Sequence, residues 1–116
     1  MKVLVVDDEE DVRHMVHMAL RARGYGVEES VSGQDAIDRC ATEDFDAIVV
    51  DYRMPRLTGM DVIRQLRSQG SQTPIILYSA FLDPAVEAEA EAEGVPAVGK
   101  ENLGQLLEAI EHAVSG

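Results

Sequence analysis

The sequence predicts an α/β fold, a three-layer sandwich in which five helices cover both faces of a five-stranded parallel sheet. Two observations carry this prediction. Short apolar segments alternate with longer helix-like segments five times along the 116 residues. Two of the short segments, 3–6 and 47–50, are continuously apolar, as strands buried on both faces are. Repeated strand–helix units form parallel sheets with right-handed crossovers. The length suits one domain, so residues 1–116 are predicted to form a single domain.

The first strand is followed by a helix at 9–23. Its apolar residues recur at helical spacing and form one face, comprising Val12, Met15, Val16, Ala19 and Leu20. His14 and His17 lie outside this face and are expected on the surface. Gly24 ends the helix, because glycine readily takes the left-handed conformation found after a helix. Residues 27–31 alternate in polarity and predict a second strand, nearer an edge of the sheet.

Polar residues separate the next elements. Ser32 is placed to cap a helix at about 33–43. The strand at 47–50 follows and ends at an aspartate. Residues 52–59 contain proline and glycine, which predict a loop. A helix at 60–69 then turns three apolar residues inward, namely Val62, Ile63 and Leu66.

The last two repeats complete the pattern. A buried strand is predicted at 74–78, and Asp83 followed by Pro84 is typical of a helix N-cap and first helical residue. A short strand at 95–98 contains Pro96, which suggests an edge position because proline cannot donate a ladder hydrogen bond. The final helix has an apolar stripe made of Leu103, Leu106, Leu107, Ile110 and Val114.

Polar residues follow four of the five strands, and they are Asp7, Asp8, Asp51, Ser79 and Lys100. Ligands of open parallel sheets bind beyond the carboxyl ends of the strands. Three carboxylates brought together there repel one another and need compensation. Mg²⁺, or Mn²⁺ in its place, prefers such oxygen ligands, and the Lys100 ammonium adds a positive charge suited to phosphate. These parts predict a site for phosphoryl transfer, with Asp51 as the nucleophile that forms an aspartyl phosphate.

The same residues belong to motifs that follow one another along the whole chain: Val-Val-Asp7-Asp8-Glu9, Val-Val-Asp51-Tyr-Arg-Met-Pro55, Thr58-Gly59, Ser79-Ala80 and Lys100. In order and spacing, this set resembles the receiver domain of bacterial two-component response regulators. The resemblance implies a flavodoxin-like sheet with strand order 2-1-3-4-5. It also implies a phosphorylation-dependent signalling switch that catalyses only its own phosphorylation and dephosphorylation. The phosphodonor would be a sensor histidine kinase or a phosphotransfer protein, and the output a downstream protein target.

The resemblance also implies roles for individual residues. Asp51 would be the phosphoacceptor. Asp8 and Asp51 would bind the metal directly, Asp7 more through water, and the backbone carbonyl of Arg53 would complete the metal site. Ser79 and Lys100 would bind the phosphoryl group.

Neighbouring residues would modulate this chemistry. Small Ala80 would leave room for the donor, and Arg53 would tune hydrolysis of the aspartyl phosphate. Without a metal, Arg53 is expected to pair with an acidic neighbour such as Asp8.

The chain departs from the family's pattern at two positions. Glu101 follows Lys100 where the family usually has proline, so a cis peptide bond cannot be assumed there. Ala97 stands three residues before the lysine, where the family often has an aromatic ring that turns inward on activation. Tyr78 and Phe81 are the nearby candidates to replace that ring.

The net charge and the cysteine content limit which partners and which cellular location we expect. The net charge of −12 argues against nucleic acid or anionic membranes as direct partners, because phosphate contacts need clustered Lys and Arg. The single cysteine, Cys40, cannot form an internal disulfide and fits a cytoplasmic location; it is expected as a small buried residue on a helix. The chain is expected to be a monomer or a weak dimer.

Two other functions remain open. A degenerate receiver would act as a phosphorylation-independent interaction module, which the changes at Ala97 and Glu101 allow. An aspartyl-phosphate phosphatase would need a second acid in the segment Asp51-Tyr52-Arg53, and the chain has none there.

The acidic helix after Asp83 also has two interpretations, a solvated face or a marginal helix that shifts on phosphorylation, because its glutamates form like-charge i,i+4 pairs.

Overall fold

The computed structural model describes residues 1–115 and confirms the predicted three-layer sandwich. The strands are β1 (Lys2–Val6), β2 (Gly26–Ser30), β3 (Ala47–Asp51), β4 (Ile75–Ser79) and β5 (Ala97–Gly99). The helices are α1 (Glu10–Ala22), α2 (Gly33–Cys40), α3 (Gly59–Ser68), α4 (Pro84–Ala92) and α5 (Leu103–Ser115). All strands are parallel, and their order is β2-β1-β3-β4-β5, as the resemblance implied. Among residues 1–115, no helix is long and apolar enough to cross a membrane.

The core consists of two apolar layers, one on each face of the sheet. On one face Leu4, Ile48 and Leu77 pack with residues of α2, α3 and α4. On the other face Val49 and Ile76 pack with residues of α1 and α5. Successive residues of a strand point to opposite faces, so a strand covered on both faces needs apolar side chains at every position. This explains the continuous apolar segments of β1 and β3.

Local side-chain caps mark where four of the described helices begin, and at α5 the Asn102 side chain accepts from the Gln105 amide (3.1 Å). The Ser32 hydroxyl accepts a hydrogen bond from the Asp35 amide (3.1 Å), and the Asp83 carboxylate accepts one from the Val86 amide (2.9 Å). Both caps were predicted from the sequence. Thr58 and Asp61 form a reciprocal capping box at the start of α3, which satisfies two backbone donors at once. These caps satisfy backbone amides in the first turns of the helices.

Several predicted boundaries were wrong by a few residues. β5 begins at Ala97, and Pro96 precedes it, with its carbonyl accepting a hydrogen bond from the Leu77 amide (2.9 Å). α2 ends at Cys40, which is half-buried against the core. Met15 was expected on the buried face of α1 but is 42% exposed. The buried stripe passes through Val16, and consecutive helical residues point about 100° apart.

Candidate functional site

The carboxyl edge of the sheet brings four of the predicted residues into one buried or nearly buried group. Asp7 follows β1 directly, Asp51 ends β3, Ser79 ends β4 and Lys100 follows β5. In β3 and β4, Asp51 is in register with Tyr78, so Ser79 lies one residue further out. Because parallel strands end at a common edge, residues far apart in sequence meet there.

The three carboxylates lie close together but differ in exposure. Asp7, Asp8 and Asp51 each offer an oxygen within 4.8 Å of the others. Asp7 and Asp51 are only 2% and 3% exposed, whereas Asp8 is exposed. Burial raises the pKa of Asp7, an effect that the Glu9 amide and Lys100 partly offset. Burial raises the pKa of Asp51 to about 6 despite its hydrogen bond with Lys100, and the neighbouring charge of Asp7 adds to the effect.

Lys100 joins the two buried acids. Its ammonium lies 3.0 Å from Asp51 Oδ1 and 3.1 Å from Asp7 Oδ2, and Glu9 Oε1 is 3.4 Å away. Burial alone would lower the pKa of Lys100, but the hydrogen bonds and charges of Asp51 and Asp7 raise it above its ordinary value. The lysine therefore stays charged and neutralises part of the acid group.

Contacts that were not predicted from the sequence hold the loop after β1, which carries Asp7 and Asp8. Arg13 of α1 donates through Nη1 to the Asp7 carbonyl (2.9 Å) and through Nε to Glu29 of β2 (2.6 Å). His17, expected on the open surface, is half-buried with Nδ1 2.6 Å from the same Glu29 carboxylate. These hydrogen bonds lower the pKa of Glu29, although its partial burial acts in the opposite direction. The β1–α1 loop is thereby tied to both α1 and β2.

The Ser79 hydroxyl is hydrogen-bonded to the loop that follows β4. It donates to the Phe81 carbonyl (2.9 Å) and accepts from the Phe81 amide (3.2 Å). A small cavity of about 90 Å³ lies beside it, lined by Glu9, Asp51, Arg53, Ser79, Ala80, Phe81 and Lys100. Every residue predicted to act on or modulate a phosphoryl group, apart from Asp7 and Asp8, therefore borders one opening.

Arg53 does not make the predicted contact. Its side chain is exposed, its guanidinium lies 6.0 Å from the centre of the Phe81 ring, and no ion pair to it is present within residues 1–115. The predicted pairing of Arg53 with Asp8 is therefore wrong in this structure. An aromatic face attracts a cation without neutralising an acid, so Asp8 is left free of that charge.

The turn after Lys100 has an ordinary backbone. No peptide bond within the described residues is cis, so the bond between Lys100 and Glu101 is trans. Phe81, one of the two candidates for the missing switch ring, is 68% exposed, whereas Tyr78 is 1% exposed and belongs to the core. The two rings thus have very different freedom to move.

Taken together, the arrangement can bind a hard cation and present a nucleophile. Three carboxylates and one ammonium leave a negative excess, which oxygen-preferring Mg²⁺ would compensate. Asp51 lines the small cavity, and a carboxylate is a competent nucleophile toward phosphorus.

Comparisons with known proteins agree with this arrangement. A family model described as the response regulator receiver domain matches residues 3–111. The response regulator MprA of Mycobacterium avium is 45% identical over 80 residues, which are 69% of this chain and 35% of that protein. The chain thus matches only about a third of the length of such relatives.

Solved structures show the same fold. The Francisella response regulator 1452 receiver domain aligns with a TM-score of 0.92 at 26% identity, covering 98% of this chain and 96% of that one. The response regulator protein TrrA of Thermotoga maritima, solved in complex with Mg²⁺–BeF, aligns with a TM-score of 0.87 at 25% identity, covering 97% of both chains.

Proposed function

Because the chain belongs to the response regulator receiver domain family, we propose that it is a phosphorylation-dependent signalling switch whose Asp51 accepts a phosphoryl group from a phosphohistidine donor. The observation that carries this proposal is the bridge from Lys100 to Asp51 and Asp7, at 3.0 and 3.1 Å, inside a group of three carboxylates. A largely buried, charged lysine between two buried acids carries a desolvation cost that helix caps and turns alone would not require. The ammonium of such a lysine is well suited to bind phosphoryl oxygens.

The donor set fits Mg²⁺. Asp8 and Asp51 would bind the ion directly, together with the backbone carbonyl of Arg53. Asp7 would act through water, since both of its carboxylate oxygens are already engaged, Oδ1 by the Glu9 amide (2.9 Å) and Oδ2 by Lys100 (3.1 Å). In Asp51 the contact with Lys100 is made by Oδ1 alone. Exposed Asp8 makes no side-chain hydrogen bond or ion pair among residues 1–115, which favours it as a direct ligand. When bound, Mg²⁺ would supply positive charge to the phosphoryl oxygens.

The chain's own residues would carry out the transfer. At neutral pH Asp51, with a pKa of about 6, is mainly ionised and can attack. A carboxylate oxygen forms the new bond to phosphorus while the bond from phosphorus to the donor imidazole nitrogen breaks. Lys100 then exchanges its carboxylate partner for a phosphoryl oxygen. This charge stabilisation, with positioning, is the main contribution that a protein makes to phosphoryl transfer.

Ser79 and its neighbours would respond to the new group. The Ser79 hydroxyl would leave the Phe81 carbonyl and donate to a phosphoryl oxygen, which releases the start of the β4–α4 loop. Ala80 would leave space for the donor, and Arg53 with Phe81 would cover the cavity and set the phosphate lifetime. Equal phosphate lifetimes in the wild type and Arg53→Ala would contradict this tuning role.

Partners follow from the chemistry. The donor would be a histidine kinase or a phosphotransfer protein, and the output a downstream protein. The proposed location is the cytoplasm, where such a donor acts. Residues 1–116 are proposed as one receiver domain, acting as a monomer or weak dimer without direct contacts to nucleic acid.

Intact mass after incubation with Mg²⁺ and acetyl phosphate tests the proposal. We expect one adduct of about 80 Da, the mass of a phosphoryl group, that is labile to acid and base. Asp51→Asn should lose it, whereas Asp44→Asn, at the opposite end of the sheet, should keep it. An absent adduct with every donor and metal would favour a phosphorylation-independent interaction module. Rapid turnover of an external phosphoester would favour a phosphatase.

A further inference from the structure

The position of Lys100 depends on a short turn. β5 has three residues, and in the described part of the chain it pairs with β4 alone and forms the edge of the sheet. The two buried acids that Lys100 contacts are Asp7, directly after β1, and Asp51, at the end of β3. These strands lie three and two positions away from β5 in the sheet. A small shift of the turn would therefore move the ammonium away from both acids.

Two consecutive residues of β4 hold this turn through Lys100. The Lys100 amide donates to the Ser79 carbonyl (2.7 Å), and the Lys100 carbonyl accepts from the Tyr78 hydroxyl (3.1 Å). The remaining bonds are local, from the Asn102 amide to the Gly99 carbonyl (2.9 Å) and from the Gln105 amide to the Asn102 side chain (3.1 Å). Apart from the contacts of the Lys100 ammonium itself, the Tyr78 hydroxyl is thus the side-chain contact that ties the described part of this turn to the sheet.

Tyr78 is suited to this role because its ring cannot move easily. The residue is 1% exposed and packs with Val98, Leu106 and Ile110 in the layer that α1 and α5 cover. Burial raises the pKa of its hydroxyl, which therefore stays protonated and donates. A carbonyl can only accept, so the direction of the bond is fixed.

Within residues 1–115, the backbone of Lys100 has no other side-chain hydrogen bond to the sheet. Glu101 lies over Gly99, and a Cβ on Gly99 would collide with the Glu101 carboxylate. Glu101 itself is exposed and forms no ion pair within residues 1–115. It therefore packs against the turn without anchoring it to the sheet.

We propose that Tyr78 is a positioning residue for Lys100, holding its backbone so that the ammonium reaches Asp51 and the incoming phosphoryl group. This inference rests on the proposed phosphoryl transfer at Asp51. Tyr78 would act through the lysine and would not touch the phosphoryl group. It would also explain why this buried strand residue is a tyrosine, whose polar group needs a partner in the core.

Tyr78→Phe is the direct test, because phenylalanine keeps the ring and removes only the hydroxyl. Tyr25→Phe is the matched control, since Tyr25 packs at the margin of the same layer and its hydroxyl makes no hydrogen bond within the described chain. The phosphorylation rate with acetyl phosphate at saturating Mg²⁺ should fall about tenfold in Tyr78→Phe, as expected for a misplaced catalytic group. It should be unchanged in Tyr25→Phe.

Two further readouts separate positioning from a general loss of structure. Mg²⁺ affinity, measured by calorimetric titration, should not fall in Tyr78→Phe, because Lys100 is not a metal ligand and its displacement takes positive charge away from the acids. Amide hydrogen exchange of residues 100–102 should become faster while that of β3 stays the same. A wild-type phosphorylation rate, a parallel loss of Mg²⁺ affinity, or unchanged exchange at 100–102 would each overturn the inference. Should the wild-type chain take up no phosphoryl group, the proposed function fails, and the exchange measurement alone then decides whether Tyr78 holds the turn.

Discussion

The hydroxyl of Tyr52 donates to the carboxylate of Glu89 across 3.0 Å, so the residue next to Asp51 is hydrogen-bonded to α4. This bond is the main reason that the pKa of Tyr52 lies above its ordinary value. Arg64 of α3 lies 3.5 Å from Glu89 and 3.8 Å from Glu93. α4 itself buries only Val86 and Ala90. Polar contacts thus supplement the weak packing of the helix beside the site.

Arg64→Gln should loosen α4. Without Arg64, the like charges of Glu89 and Glu93 at i,i+4 repel each other without compensation. Exposed ion pairs contribute about 0.2–1 kcal/mol, so amide exchange across α4 should become about two- to fivefold faster, with little change in global stability. Arg21→Gln, which replaces an exposed arginine of α1, should leave α4 unaffected. If wild-type α4 proved as protected as β3, the marginal-helix interpretation would be wrong and the solvated-face interpretation would stand.

The raised pKa of Asp51 predicts a pH-dependent stability. Its pKa of about 6 in the folded chain exceeds the ordinary value of 3.8, so the folded state holds the proton more tightly than the unfolded state. Protonated Asp51 therefore stabilises the folded state. This stabilisation is complete below about pH 4 and is lost as the pH rises through about 6. A shift of this size corresponds to at most about 3 kcal/mol.

Asp51→Asn isolates this effect because asparagine does not titrate. In urea unfolding with a chelator present, the free energy of unfolding of the wild type relative to Asp51→Asn should fall by about 1–3 kcal/mol between pH 4 and pH 7. The variant should be the more stable chain at pH 7. Parallel pH profiles for the two chains would show that Asp51 is not perturbed as described.

The sequence predicted the residues at the site better than their contacts. In parallel strands, the position of a residue relative to its strand end decides whether it reaches the common edge. This is why Asp51 and Lys100 were identified from short motifs. The hydrogen bond from Arg13 to Asp7 depends on how α1 packs against β2, and no local pattern encodes that packing. Arg53 was expected to seek a negative charge, but a long exposed side chain can equally lie over a nearby ring such as Phe81.

Mg²⁺ should stabilise the folded chain. An ion that binds only the folded state adds about 2.7 kcal/mol when its concentration is about 100 times the Kd. The thermal midpoint should therefore rise with Mg²⁺ at neutral pH. Asp8→Asn should remove most of this rise, because Asp8 is the exposed acid proposed as a direct ligand. Asp44→Asn is the matched control, and a rise that survives in Asp8→Asn would place the ion elsewhere.

A close backbone approach at Gly59 predicts a steric requirement beside the site. A Cβ on Gly59 would collide with the backbone carbonyl of Asp51, and it would lie 3.0 Å from a methyl carbon of Leu77. The Gly59 amide also donates to the Tyr52 carbonyl (2.9 Å), so α3 begins directly against the end of β3. Backbone cannot move aside as a flexible side chain can, and overpacking of this kind costs about 1–3 kcal/mol.

Gly59→Ala should therefore destabilise the chain by about 1–3 kcal/mol in urea unfolding and weaken Mg²⁺ binding, because Asp51 must shift. Gly104→Ala provides the opposite case. Gly104 lies in α5, and a Cβ added there would have the Asn102 side chain as its nearest neighbour, at 3.8 Å. Alanine in place of glycine at such an open helical position stabilises the chain by about 0.5–1 kcal/mol. If both substitutions stabilised the chain, α3 would have room to move away from β3, and the contact between Gly59 and Asp51 would not constrain the site.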